Sequence, residues 1–257
     1  MGGGEIHDTC EFNNSTNCTA GVQFGRVPPW EGSSADLFDS CSTLSGCTVP
    51  TNSFGFQIPH TGHGYVGQVF LDTYDSNTRE YIEVMLDSFM ISQHHYCCSF
   101  YVSASNLYSL GSNNVAMYIS STHTPMPSSG RLTYTPQILH NSIVSDTVGW
   151  TLISGEYVAS GGEKYIVIGN FNTNAATDTL AGSSTYGLAY YYIDDVSVID
   201  CTTVGITKLN PTPEITLYPN LCGKELGIKS TKNQVLSIKI YNLLGAMVND
   251  KWLMVNG

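Results

Sequence analysis

The chain has 257 residues, 42% hydrophobic and only 12% charged, with a formal charge of −11. An acidic surface repels phosphate backbones, which excludes nucleic acid as a natural partner. The hydrophobic content is that of a chain with a core, which argues against disorder.

The opening Met1-Gly2-Gly3-Gly4-Glu5 has neither the basic region nor the apolar stretch of a signal peptide, and no run is long enough to cross a bilayer. Residues 5–60 read as loop, with four cysteines, Pro28-Pro29 and many Asn, Gly and Ser turn residues. Within them, 14–16 and 17–19 match glycosylation acceptors. From about residue 64 strands alternate with turns. In 79–86, Glu80, Ile82, Val84 and Leu86 share one face, and Arg79, Tyr81, Glu83 and Met85 the other. In 96–103, Cys98, Phe100 and Val102 oppose Cys97, Ser99, Tyr101 and Ser103. In 114–120, Val115, Met117 and Ile119 oppose Ala116 and Tyr118. Strands over 150–159 and 163–171 follow, joined by a Ser160-Gly161-Gly162 turn, and 190–199 is the last strong strand. Residues 121–149 and 172–188 read as long loops, which on such a fold serve binding or are tolerated insertions. One apolar face per strand, with a polar or aromatic face opposite, predicts an all-β, two-sheet antiparallel jelly-roll sandwich with a small C-terminal β tail. The expected organisation is a binding domain over 1–201, a linker over 202–213 and a tail over 214–257, with tail strands at 215–218, 226–229 and 235–241.

Eight cysteines (10, 18, 41, 47, 97, 98, 201 and 222) in a Lys-poor, Thr/Ser/Asn-rich chain point to an oxidising compartment. Their spacing fits no zinc motif, and about 105 pairings are open. No G-x-S-x-G, HExxH or P-loop occurs. Glu80 and Glu83 lie on opposite strand faces, and Asp194 and Asp195, being adjacent, are expected to diverge, so neither pair makes a catalytic dyad. His94 and His95 diverge in the same way. The reading is a protein that is not an enzyme.

Sugar rings stack their C–H faces on aromatic platforms and need planar polar partners for their hydroxyls. The residues that meet this need are Trp30, Tyr65 and Tyr74, with Arg79, Tyr81 and Glu83 on one strand face. Tyr81→Ala is the substitution expected to abolish binding. Trp150, at a strand start, is expected in the core.

The runs YCCSFYVS at 96–103, GWTLISGEYVASGGEKYIVIGNF at 149–171 and YYYIDDVSVIDC at 190–201 occur with PPWEG at 28–32, LFDSC at 37–41, FGFQIPHTGHGYVG at 54–67 and REYIEVML at 79–86. In this order they resemble a carbohydrate-binding-module-like jelly roll common in surface proteins of Bacteroidota. The resemblance implies glycan binding at the cell surface, with adhesion through protein or self contacts as the alternative. It also implies a structural calcium joining an N-terminal loop to the last strand, with Asp194 and Asn13 as ligands. It further implies a disulfide between Cys97 and Cys201. The next pairs expected are Cys18 with Cys41 and Cys10 with Cys47, leaving Cys98 as a buried thiol and Cys222 unassigned. ITLYPN at 215–220, ELGIKS at 225–230 and IKIYNLLGAMV at 238–248 resemble part of the C-terminal sorting domain of type IX secretion substrates. That resemblance implies recognition by the secretion machinery and an extracellular or outer-surface location. Leu221-Cys222 stands where that family usually has Pro-Thr.

Overall fold

The computed structural model describes residues 30–32, 34–75, 77–127, 130–182, 186–202, 215–218, 227–230 and 247. The chain divides into two compact units, 1–204 and 205–257. In chain order the first strands are β1 (Trp30–Gly32), β2 (Asp36–Asp39), β3 (Thr51–Asn52), β4 (Gly55–Phe56), β5 (Gly64–Asp72) and β6 (Ile82–Met85). Then come β7 (His95–Ser109), β8 (Gly111–Ser112), β9 (Val115–Ser120), β10 (Ile138–His140), β11 (Thr151–Val158) and β12 (Tyr165–Gly169). The series ends with β13 (Thr179–Leu180), β14 (Leu188–Asp200), β15 (Ile215–Tyr218) and β16 (Gly227–Ser230).

Two five-stranded antiparallel sheets form a jelly-roll sandwich. Sheet I has the order β1-β6-β12-β9-β10, and sheet II the order β11-β7-β14-β5-β2. The inner faces follow the alternation. Ile82 and Val84 of β6, Val115, Met117 and Ile119 of β9, and Ile166 and Ile168 of β12 meet Cys98, Phe100 and Val102 of β7 and Tyr191 and Ile193 of β14 in one core. Burying side chains of this size is worth roughly 1.5–3 kcal/mol each. In the second unit, β15 and β16 pair antiparallel. The strand expected over 235–241 and the linker lie outside the described residues.

Three parts of the sequence reading need correction. The 5–60 segment, expected as loop, contributes β1 and β2 as edge strands of the two sheets. The loops expected over 121–149 and 172–188 contain β10 and β13. The outer sheet faces are not simply polar. Tyr81, Ala116, Val167 and Phe171 of sheet I are covered by Leu132 and Met126 of the 121–137 segment. Phe38, Tyr65, Tyr190 and Tyr192 of sheet II are covered by Val49, Phe54 and Trp150. These second layers require close approach at glycines: a Cβ on Gly67 would strike the Tyr190 and Phe38 rings, and one on Gly169 the Tyr81 ring.

Cys97 and Cys201 are bonded, with Cα atoms 5.8 Å apart. The bridge joins β7 to the end of β14, where Ile199 pairs with Cys97 and the Cys201 N–H donates to the His95 carbonyl. Cys41 and Cys47 are each engaged in a disulfide; their expected partners Cys18 and Cys10, like Cys222, lie outside the described residues. Cys98 is a buried free thiol, and burial pushes its pKa up to about 12.

Burial also raises carboxyl groups around sheet II. Asp36, which accepts the Tyr190 hydroxyl at 2.7 Å, is pushed up to about 6, Glu80 to about 7 and Asp194 to about 6. Each holds its proton more tightly folded than unfolded. Their stabilising contribution is complete below the unfolded value near 4 and is lost as pH rises through about 6 to 7. Asp200, lowered to about 2 by Thr202 and His94, acts oppositely, but only as pH falls toward about 2. The thermal midpoint is therefore expected to fall between about pH 4 and about pH 7, and Asp36→Asn to flatten the slope. A midpoint that climbs across that window would contradict these shifts.

Candidate functional site

Five of the six residues expected to bind a sugar have no face to offer one. Tyr65 and Tyr81 are 0% exposed, Arg79 1%, Trp30 2% and Glu83 2%. Trp30 belongs to the core between the sheets. The Tyr65 hydroxyl donates to the Gln57 carbonyl at 3.0 Å and accepts from Asn52 at 2.9 Å. Arg79 donates to the Thr78 and Asn172 carbonyls, and burial pushes its pKa down to about 10. Tyr81 donates to the Asn170 carbonyl at 2.7 Å and accepts from the Leu132 N–H at 3.1 Å. Glu83 accepts from the Thr124 N–H and meets His123. Alternation puts Arg79, Tyr81 and Glu83 on the face opposite Ile82 and Val84, but it carries no information about a distant loop folding over that face. Trp150, half-buried, packs on the sheet II aromatic cluster and donates its indole N–H to the Ile58 carbonyl.

Tyr74 is the exception, at 78% exposed. It follows β5 in a turn held by Asp72, whose carboxylate accepts the Tyr74 and Asp75 N–H groups at 2.8 and 3.1 Å. The turn is tied to the residue just before β14, because the Thr73 N–H and hydroxyl both donate to the Gly187 carbonyl. The Tyr74 ring lies against Gly187, where a Cβ would crowd both it and Thr73. Tyr186, 54% exposed, is the preceding residue, and its ring centroid stands 5.0 Å from that of Tyr108. Tyr108 continues inward to Phe54 at 5.5 Å, and Phe54 stacks on buried Tyr190 at 4.0 Å. The Tyr186 ring is thus seated on a column of packed aromatics. Beside them, Asn106 is exposed and accepts the Phe56 N–H, while Phe56 and Leu107 are 47% and 44% exposed. This is an aromatic surface with polar groups at its margin, the combination that sugar stacking needs. Only Tyr74 of this group was singled out in the sequence. Among sixteen tyrosines, spacing does not separate surface rings from the column beneath.

Asp194 and Asp195, expected to diverge, both reach the 60–61 loop. Asp195 takes a φ of 49°, in an irregular stretch of the β14–β7 pairing. Asp194 accepts the His60 and Thr61 N–H groups and the Asp195 N–H, while Asp195 meets the His60 ring and the Thr61 hydroxyl. Three amide donors already occupy the Asp194 carboxylate, so what it does here is anchor the loop to β14. The His60 ring stacks on Tyr101 at 3.8 Å. Asn13, the other expected calcium ligand, lies outside the described residues. The adjacent histidines do separate, His94 meeting Asp200 and His95 meeting Glu156.

No protein-family model matches the chain, and no curated protein matches it. Among solved structures it is similar to the K1 cleaved adhesin domain of Lys-gingipain from Porphyromonas gingivalis, at 15% identity over 66% of this chain and 90% of that one, TM-score 0.34. It is similar to the K2 cleaved adhesin domain of Lys-gingipain, at 15% identity over 75% and 97%, TM-score 0.38. It is also similar to a CBM22-1 xylan-binding domain from Paenibacillus barcinonensis, at 10% identity over 66% and 83%, TM-score 0.38.

Proposed function

We propose that this chain is a non-catalytic binding protein of the cell exterior that recognises glycans through the surface formed by Tyr74, Tyr186 and Tyr108. The observation that carries the reading is the exposure of Tyr74, whose ring lies against Gly187, and of the adjoining Tyr186, whose ring is seated on a column of packed aromatics. A ring held in place loses little freedom when a sugar stacks on it, and offset or edge contacts of such rings are worth about 0.5–1.5 kcal/mol beyond the area buried. Bonded Cys97, Cys201, Cys41 and Cys47 support an oxidising compartment. The 214–257 tail, by its resemblance to type IX sorting domains, would engage the secretion machinery.

A glycan array, with pull-downs on insoluble polysaccharides, tests the reading. Binding by the intact chain is expected, with Tyr74→Ala and Tyr186→Ala each weakening it at least about tenfold, a loss of about 1.4 kcal/mol. Binding to no glycan would remove the proposal. A second reading, adhesion through self or protein contacts, is favoured by edge strand β11, which exposes Leu152 and Val158 at 48% and 46%. Tight self-association without glycan binding would favour it.

A further inference from the structure

Glu31 sits at the centre of β1, and its register partner on β6 is Glu83. The neighbouring pair Trp30 and Val84 faces the core, so both glutamates point to the outer face of sheet I. Like charges directly opposite each other on adjacent strands are destabilising, and Glu83, at 2% exposed, is held where an unpaired charge is costly. Burial accordingly raises the Glu83 carboxyl above its ordinary value. A proton on Glu83 or a cation between the two carboxylates relieves that repulsion. His123, just beyond β9, brings its Nδ1 to 2.6 Å from Glu83 Oε1 and 3.8 Å from Glu31 Oε2. Ligand atoms of all three lie within 4.8 Å of one another.

From this geometry we propose that Glu31, Glu83 and His123 form a binding site for a divalent transition metal, zinc being the ion that fits. Ligand atoms about 2.0 Å from a tetrahedral zinc stand about 3.3 Å apart, and the two His123 distances bracket that spacing. One imidazole and two carboxylates suit zinc, whereas calcium takes about six to eight oxygens. The Thr124 N–H, donating to Glu83 Oε2 at 2.9 Å, orients the buried ligand and leaves Oε1 toward the site. Glu31 and His123 are exposed, so the ion has an entry path and a side open to water as fourth ligand. Bound there, zinc would staple the three-residue edge strand β1 and the segment after β9 onto β6.

Calorimetric titration of the intact chain with zinc chloride near neutral pH tests this site independently of glycan binding. One equivalent is expected, together with a rise in the thermal midpoint. Both effects should be lost in His123→Ala and in Glu31→Gln, whose exposed side chains can change without emptying the core. Circular dichroism confirms that the variants fold. Binding should persist in His94→Ala, His95→Ala, which removes two imidazole–carboxylate pairs outside this cluster. Binding should also weaken on acidification, because the ligands must be deprotonated. Absence of zinc binding, or binding that survives both His123→Ala and Glu31→Gln, overturns the proposal by leaving the cluster a plain hydrogen-bonded pair with an exposed neighbour.

Discussion

The double substitution Cys97→Ser, Cys201→Ser is expected to lower the unfolding free energy by about 4–5 kcal/mol. The bridge spans 104 residues of sequence, and in the chain-entropy picture closing so long a loop restricts the unfolded chain far more than the folded one. Little in the folded state should change, because β7 and β14 keep their register beyond the bridge through Val198 with Cys98 and Asp200 with Tyr96. The ion-paired ties at this end are His94 with Asp200 and His95 with Glu156. These are solvent-facing pairs of a kind worth about 1 kcal/mol or less, too little to replace a covalent link. For a protein of ordinary stability, about 5–15 kcal/mol, the loss is a large fraction of the whole. Urea unfolding measures it as a lower midpoint at nearly constant slope. A change under about 1 kcal/mol would mean that the unfolded chain is already constrained by its other bridges.

Tyr81→Ala is expected to cost about 3–5 kcal/mol of stability. The ring fills the space between Gly169 and Phe171, whose centroid is 5.3 Å away, and its hydroxyl joins Asn170 to Leu132. Removing it empties that layer and frees Leu132 from sheet I, while Thr124 and Gln137 still hold the flanks of its segment. Tyr81→Phe keeps the packing but deprives the Leu132 N–H of its acceptor, a smaller loss of about 1–3 kcal/mol. Denaturant titration of both variants separates packing from hydrogen bonding. A Tyr81→Ala protein of unchanged stability would contradict the packing assigned to this ring. The variant first expected to report on ligand contact therefore reports on the fold.

That reversal shows where sequence reasoning stops. Period-two alternation located the faces of the strands around Ile82, Phe100 and Met117, because each face is set by the strand itself. It could not show that Leu132 covers Tyr81 or that Phe54 covers Tyr190, since those contacts join residues 51 and 136 positions apart. Strands β1 and β2, three and four residues long, are too short to carry a period and depend on β6 and β5 for pairing. The convergence of Asp194 and Asp195 depends on one residue at φ 49°, a backbone choice that no side-chain pattern announces. Glu31 and Glu83 are far apart in sequence and become neighbours only through strand register.

The claim that joins these parts is that the chain meets its ligand at the rings beside Gly187. NMR titration with soluble oligosaccharides, following assigned tyrosine ring signals, addresses it directly. The signals of Tyr74, Tyr186 and Tyr108 are expected to move together and saturate, while those of Tyr118 and Tyr134, stacked 4.6 Å apart on sheet I, stay in place. Movement at Tyr118 and Tyr134 with none at Tyr74 and Tyr186 would contradict it.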